Sequence, residues 1–193
     1  MNEENLLGPL FTEGRTHRFF TDKPVEDNLL RELYETAKTA PSASNLCPMR
    51  ITFVTSDVEK QKVIDAAADG NKAKIQSAPV VAIIACDTAF YNYVERLAPH
   101  MNAEAFRSQE ADKLEMIGVE NSWFQAGFFI LAARAVGLDC GPMSGFNKSK
   151  IDEAFYSETT WRSHLLINLG HGDETKLHPR GARLDFDEAC SIL

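Results

Sequence analysis

The sequence predicts an α+β domain in which a small mixed β-sheet packs between helices, and three features carry that prediction. Two apolar runs, Ala78-Pro-Val-Val-Ala-Ile-Ile-Ala-Cys86 and His164-Leu-Leu-Ile-Asn-Leu-Gly170, have the length and near-continuous hydrophobicity of buried strands. Residues 120–136 have helical length but are apolar on most sides, with Trp123, Phe124, Phe128, Phe129, Ile130 and Leu131. Such a helix must be covered, by a core or by a second subunit. The 193 residues contain no internal repeat and no long linker, so one domain over residues 1–193 is expected.

The remaining elements follow from local signals. Asp27 suits an N-cap, and Leu29, Leu30, Leu33, Tyr34 and Ala37 continue at helical spacing until Pro41 stops the helix. The polar turn Ser42-Ala-Ser-Asn45 leads to a β-branched and aromatic strand over residues 51–55. Residues 58–68 read as a helix, as do the more polar residues 102–117. Gly137 is a natural stop for the long apolar helix. Residues 138–142 run into a strand end or turn, residues 148–155 form a short helix, residues 173–183 are loop-like, and residues 185–192 suit a final helix.

Composition narrows the function classes. The formal charge of −8 disfavours nucleic acid or an anionic membrane as the main partner, while leaving room for a local anion site. Glu3 and Glu4 stand where a secretory leader would carry positive charge. The most apolar stretch, residues 124–138, contains Gln125 and Arg134 and falls short of the roughly 20 residues of a membrane span. A soluble, cytoplasmic protein is expected. Cys47, Cys86, Cys140 and Cys190 form no CxxC pair, and the five histidines show no metal-ligand spacing, so no metal site is expected. GxGxxG, P-loop and GxSxG signatures are missing, which argues against a Rossmann site, a nucleotide-triphosphate loop and a serine hydrolase.

Three separated segments offer chemistry. Arg15-Thr16-His17-Arg18 places two guanidinium groups and a hydroxyl within four residues, a set able to grip phosphate oxygens. Alone, it reads more readily as a solvated basic turn. Pro41-Ser-Ala-Ser-Asn45 offers short polar side chains to a ligand, yet Ser and Asn favour turns by bonding their own backbone, and that reading is the stronger one locally. In Cys140-Gly-Pro-Met-Ser-Gly-Phe146, two glycines around a proline let backbone approach a flat ligand, or simply build a tight connection. Cys47 reads as a small filler rather than a nucleophile, and Asp87 as a cap after its strand.

Taken in order, these segments resemble the nitroreductase superfamily. The basic N-terminal motif is followed by Ala40-Pro-Ser-x-x-Asn45-x-x-Pro48, an apolar strand, a long hydrophobic helix, Gly141-Pro-x-x-Gly145-Phe146, an Asn168-Leu-Gly170 strand end and a basic C-terminal tail. The resemblance covers nearly the whole chain. Within the superfamily the chain is most similar to the malonic semialdehyde reductases of the Rut pyrimidine-utilisation pathway, through Arg15-Thr-His17, Pro48-x-Arg50-Ile51, residues 141–146, residues 165–170, Gly172-Asp173 and residues 183–190.

The resemblance implies a nitroreductase-like fold, an intertwined homodimer and FMN bound between the subunits. Arg15 and Thr16, with His17 beside them, would hold the phosphate and ribityl chain, and Arg180 and Arg183 would complete the clamp. Pro41, Ser42, Ala43 and Asn45 of the other subunit would pack on the ring system. Asn71 would meet the pyrimidine edge, and Pro142, Met143, Ser144 and Gly145 would line the ring near N5. Arg18 and Lys74 are candidates to stabilise negative charge on reduced flavin. No protein side chain is expected to act as the catalyst. The flavin carries the chemistry, in a ping-pong cycle in which NAD(P)H delivers hydride to N5 and a small acceptor removes it. Malonic semialdehyde, reduced to 3-hydroxypropionate, is the first acceptor implied. A nitroaromatic or quinone acceptor is the alternative, and a flavin-binding protein without turnover is the alternative from another class. Two departures stand out. Gly14 occupies a position that is basic in many members, and Cys47 stands where Gln is common.

Overall fold

The computed structural model describes residues 7–193, so Glu3 and Glu4 of the argument above lie outside the described residues. Strands Met49–Val54 (β1), Val80–Asp87 (β2), Asp139–Met143 (β3) and Trp161–Gly170 (β4) form one sheet in the order β1-β2-β4-β3. Its three ladders are antiparallel, and parallel pairing is confined to an isolated bridge between Thr16 and Cys140. The expected mixed sheet is thus antiparallel in all its ladders. Central β2 is buried along its whole length because both of its faces are covered. Val80, Ala82 and Ile84 pack under helices Asp27–Ala37 (α1) and Ala111–Ala135 (α6). Val81, Ile83 and Ala85 face helices Asp57–Ala66 (α2), Asp69–Ser77 (α3) and Lys148–Tyr156 (α7). The period-two alternation of a strand therefore feeds two cores, and the sheet is the middle of three layers. Short helices Val94–Leu97 (α4) and Ala103–Arg107 (α5) close a satellite cluster around Leu46, Phe90 and Leu114.

Three elements differ from the sequence expectation for identifiable reasons. The single helix expected over residues 58–68 ends at Ala66, and α3 follows almost at once. Ala67 and Ala68 are extended because they pair with the loop after β3: Ala67 bridges Phe146, and the Ala68 N–H donates to the Gly145 carbonyl at 3.0 Å. Tertiary hydrogen bonding overrides helix propensity there. In contrast, residues 111–135 form one helix of 25 residues, with the break displaced to residues 108–110. Gly118 does not interrupt it; it is buried against Cys86, where a small residue lets α6 lie close on β2. Residues 139–143 are a full edge strand, a position that tolerates Pro142 because one side of the ladder is open. The last helix, Phe186–Ala189 (α8), is four residues long and carries a capping box between Asp185 and Glu188.

The apolar face of α6 is only half covered within one chain. Ala126, Phe129 and Ala133 are buried, whereas Met116, Trp123, Phe124 and Phe128 are 40–55% exposed. Among the described residues no helix is long and apolar enough to cross a membrane.

One polar pair sits inside the upper core. His164 Nε2 lies 2.7 Å from the Ser122 hydroxyl, which is also 3.2 Å from the Ala85 carbonyl. Burial, with Lys148 nearby, pushes the His164 ring down to about 4 from its ordinary 6.5. Between those values the unfolded chain binds a proton that the folded chain refuses, so acidification favours unfolding. Unfolding free energy from denaturant titrations is expected to fall as pH drops from 6.5 to about 4. The variant His164→Gln should lose that part of the slope.

Candidate functional site

Residues 15–21 and the C-terminal tail meet beside β3. The His17 N–H donates to the Cys140 carbonyl at 2.9 Å, and the His17 carbonyl lies so close to Gly141 that a Cβ there would sit 2.5 Å from it. Phe20 pairs with Gly172 in an antiparallel bridge, the Thr21 N–H donates to the His171 carbonyl at 2.8 Å, and the Asp173 N–H donates to the Phe19 carbonyl at 3.0 Å. Residues 16–21 are thereby stitched both to β3 and to the exit of β4. Because Arg15 and Arg18 flank this strip and the basic tail follows it, both ends of the chain deliver cations to one place.

That place is a cavity of about 340 Å³ lined by Arg15, Thr16, Arg18, Arg134, Lys176, His178, Arg180 and Arg183, with Phe11 and backbone around them. Six of the chain's 20 Lys and Arg residues line it, and no Asp or Glu does, in a protein of net charge −8. The arginines are held by neutral acceptors. Arg15 donates to the His178 carbonyl, and Arg18 meets His178 Nε2 at 2.8 Å. Arg134 donates to the Leu10 carbonyl at 2.7 Å, and Arg180 donates to the carbonyls of Thr12 and Gly14 at 2.8 and 3.1 Å. Arg183 reaches only its neighbours' carbonyls, at Gly181 and Ala182. Carbonyls leave the guanidinium charge uncompensated, so the cavity attracts a multi-oxygen anion such as a phosphate monoester. The cavity thus contains Arg15, Thr16, Arg180 and Arg183 of the sequence motifs. It adds Arg134, Lys176 and His178, which sequence reasoning did not single out. The one signal for Arg134 was a lone cation closing an apolar helix. His17 is also in this strip, but its ring is buried and turned inward.

The loop after β3 is fixed to α3. Asn71 Nδ2 donates to the Gly145 carbonyl at 3.0 Å, and Lys74 Nζ donates to Asn71 Oδ1 at 2.9 Å. The structure therefore brings Asn71 and Lys74, neighbours on α3, to Gly145, 74 residues beyond Asn71 in the chain. Asn168, wholly buried on β4, donates to the Lys74 carbonyl at 3.0 Å and so anchors the end of α3. Ser144 and Gly145 are exposed, while Pro142 and Met143 are half-buried on the strand.

The turn of Pro41, Ser42, Ala43 and Asn45 lies elsewhere. Asn45 and Cys47 line a cavity of about 1340 Å³ between α1 and β1, which shares no lining residue with the basic one. The turn is held rigidly by Asn121 Oδ1 accepting from the Ala43 N–H at 2.6 Å and by Asn45 Nδ2 donating to the Leu97 carbonyl at 2.7 Å. Ser44, Asn45 and Cys47 all have positive φ, 48°, 56° and 44°, a left-handed path unusual for three non-glycine residues in one turn. Nearby, Asp87 accepts from the Ala89 N–H at 2.9 Å, as a cap should, and also from Arg50 at 2.7 Å. Arg50 is thus paired, and Arg107 lies 3.5 Å from Glu104 on the surface.

The family model named Nitroreductase family matches residues 12–171, and the chain belongs to that family. A protein of Leptothrix cholodnii, provisionally named an NADH dehydrogenase/NAD(P)H nitroreductase, is 46% identical over 189 residues, covering 97% of this chain and 95% of that protein. A crystal structure of a nitroreductase family protein from Streptococcus pneumoniae superposes with a TM-score of 0.83 at 27% identity, over 95% of this chain and 98% of that one. A nitroreductase-like structure from Exiguobacterium sibiricum, solved in complex with FMN, has the same fold at a TM-score of 0.85 and 18% identity, covering 100% of this chain and 99% of that one.

Close packing at the junction of the two chain ends gives a direct test. A Cβ on Gly172 would fall 1.8 Å from His17 Nδ1, and the buried ring has no room to yield. Gly172→Ala is expected to lower stability by about 1–3 kcal/mol, the usual cost of overpacking, as read by denaturant melts.

Proposed function

We propose that this chain is an FMN-dependent NAD(P)H oxidoreductase that acts as a homodimer. The observation that carries the reading is the carboxylate-free cationic cavity built from both chain ends. A phosphate monoester brings roughly −1.5 to −2 charges at neutral pH, and the lining supplies planar, multi-donor partners for it. Arg15, Thr16, Arg180 and Arg183, reinforced by Arg18, Arg134 and Lys176, would hold the FMN phosphate. Asn71 and Lys74 would meet the pyrimidine edge beside Gly145, with the Lys74 charge favouring the reduced, anionic form. Pro142, Met143, Ser144 and Gly145 would line the ring. Once bound, FMN supplies the two-electron chemistry that passes a hydride from NAD(P)H to a small acceptor.

The homodimer is supported by two features. Met116, Trp123, Phe124 and Phe128 are exposed apolar side chains on one helix, α6, the kind of surface that marks a contact with another protein. Pro41, Ser42, Ala43 and Asn45 belong to a turn separate from the basic cavity, so a second copy would have to bring them to the ring.

The motifs of the Rut reductases support malonic semialdehyde as acceptor: aldehyde, NAD(P)H and a proton would give 3-hydroxypropionate and NAD(P)⁺. The alternative is a nitroaromatic or quinone acceptor, and the nitroreductase in the name of the Leptothrix cholodnii relative favours the nitroaromatic. Parallel turnover assays separate them. Rapid turnover of the aldehyde with slow quinone reduction is expected, and the reverse ranking would replace the first acceptor with the second.

The purified protein should show a visible flavin band that NAD(P)H bleaches anaerobically; a colourless protein that ignores added FMN would end the proposal. Arg15→Ala should weaken FMN binding by about 10–100-fold, the weight of a charge-assisted contact. Phe128 is half exposed in the single chain, so Phe128→Lys should leave the fold intact and yield monomer in sedimentation.

A further inference from the structure

We infer that Asp139 and His17 form a clasp that sets the spacing of the two cationic arms, and thereby determines that the site takes a phosphorylated flavin rather than the bare ring system. The inference rests on the reading of the cavity as an FMN phosphate site. Asp139, the first residue of β3, is the one carboxylate among the described residues that touches both arms. Its Oδ1 lies 3.3 Å from His17 Nε2, within the segment that carries Arg15 and Arg18. Its Oδ2 accepts from the Gly172 N–H at 2.8 Å, at the root of the tail that carries Lys176, Arg180 and Arg183. The imidazole fills the space over Gly172 that any other residue's Cβ would need, so ring and glycine are complementary. Asp139 itself is not among the residues that line the cavity. It is a positioning residue: it fixes where the cations stand without adding a negative charge to their surface.

The physical argument is one of preorganisation. Five guanidinium groups repel one another, and long side chains lose rotamer freedom when they converge on one anion. A clasp at the base of both arms means that the backbone part of that ordering is complete before any ligand arrives. Contacts to an isoalloxazine ring would lie at Asn71 of α3 and the loop after β3, which are joined by separate hydrogen bonds. Loss of the clasp should therefore damage phosphate recognition and spare ring recognition.

The test compares FMN with riboflavin, which lacks the phosphate, by flavin fluorescence titration of full-length protein. Two variants are used, Asp139→Ala and His17→Leu. The second keeps the bulk over Gly172 and removes Nδ1, a buried nitrogen with no hydrogen-bond partner among the described residues, so it should fold at least as well as the parent. The expected result is a loss of FMN affinity of about tenfold or more in both variants, riboflavin affinity within about twofold of the parent, and no drop in the melting temperature of His17→Leu. Equal losses for both flavins, or FMN affinity unchanged in His17→Leu, would overturn the clasp. A parent protein that binds neither flavin would overturn the cofactor reading instead, so the two failures are distinguishable.

Discussion

The backbone of residues 16–21 lies against β3 and the exit of β4, and the meeting of the two basic segments depends on that contact. It is a main-chain interaction, with His17 bonded to Cys140, Phe20 bridged to Gly172 and Thr21 bonded to His171. It is possible because Gly141 and Gly172 leave room that a side chain would occupy. Without it the first basic motif would be a solvated turn and the last a solvated tail. With it, Arg15 and Arg18 become hydrogen-bonding neighbours of His178, 160 or more residues away along the chain.

The same economy of backbone contact governs the second half of the site. The loop after β3 cannot be positioned by a core, because Ser144 and Gly145 are exposed. It is held instead by bonds to the junction of α2 and α3, where Ala67 and Ala68 leave helical geometry to pair with it. That junction sets the start of α3, and α3 presents Asn71 and Lys74. The buried amide of Asn168 then fixes the far end of the helix through the Lys74 carbonyl. A strand-end motif that looks like a simple stop in sequence acts as an anchor for a helix whose Lys74 lies 94 residues earlier in the chain.

Polar groups in the core are few and each has a structural task. Asp87 joins β2 to the turn that follows and pairs with Arg50. Ser122 and His164 tie α6 to β4 and to the Ala85 carbonyl. Burial raises the thiols of Cys86 and Cys140 to about 12, so neither is a thiolate at neutral pH.

The sequence by itself determined the class of fold, the two buried strands and the long apolar helix, because hydrophobic periodicity is a local property that burial enforces. Arg15 and Thr16 were legible as residue types that suit an anion, and Arg180 and Arg183 only through the resemblance to the nitroreductase superfamily. The sequence missed α3, since Asp69-Gly70 reads as a break and the pairing of Ala67 and Ala68 with residues 145–146 is non-local. It divided α6, since Gly118 reads as a weak point until the approach of Cys86 gives it a reason. Only the tertiary structure decided that both ends of the chain share one cavity, that Arg134 and Lys176 join them, and that His17 points away from it toward Asp139. Those facts depend on hydrogen bonds between segments distant in the chain, and no spacing within a segment encodes them.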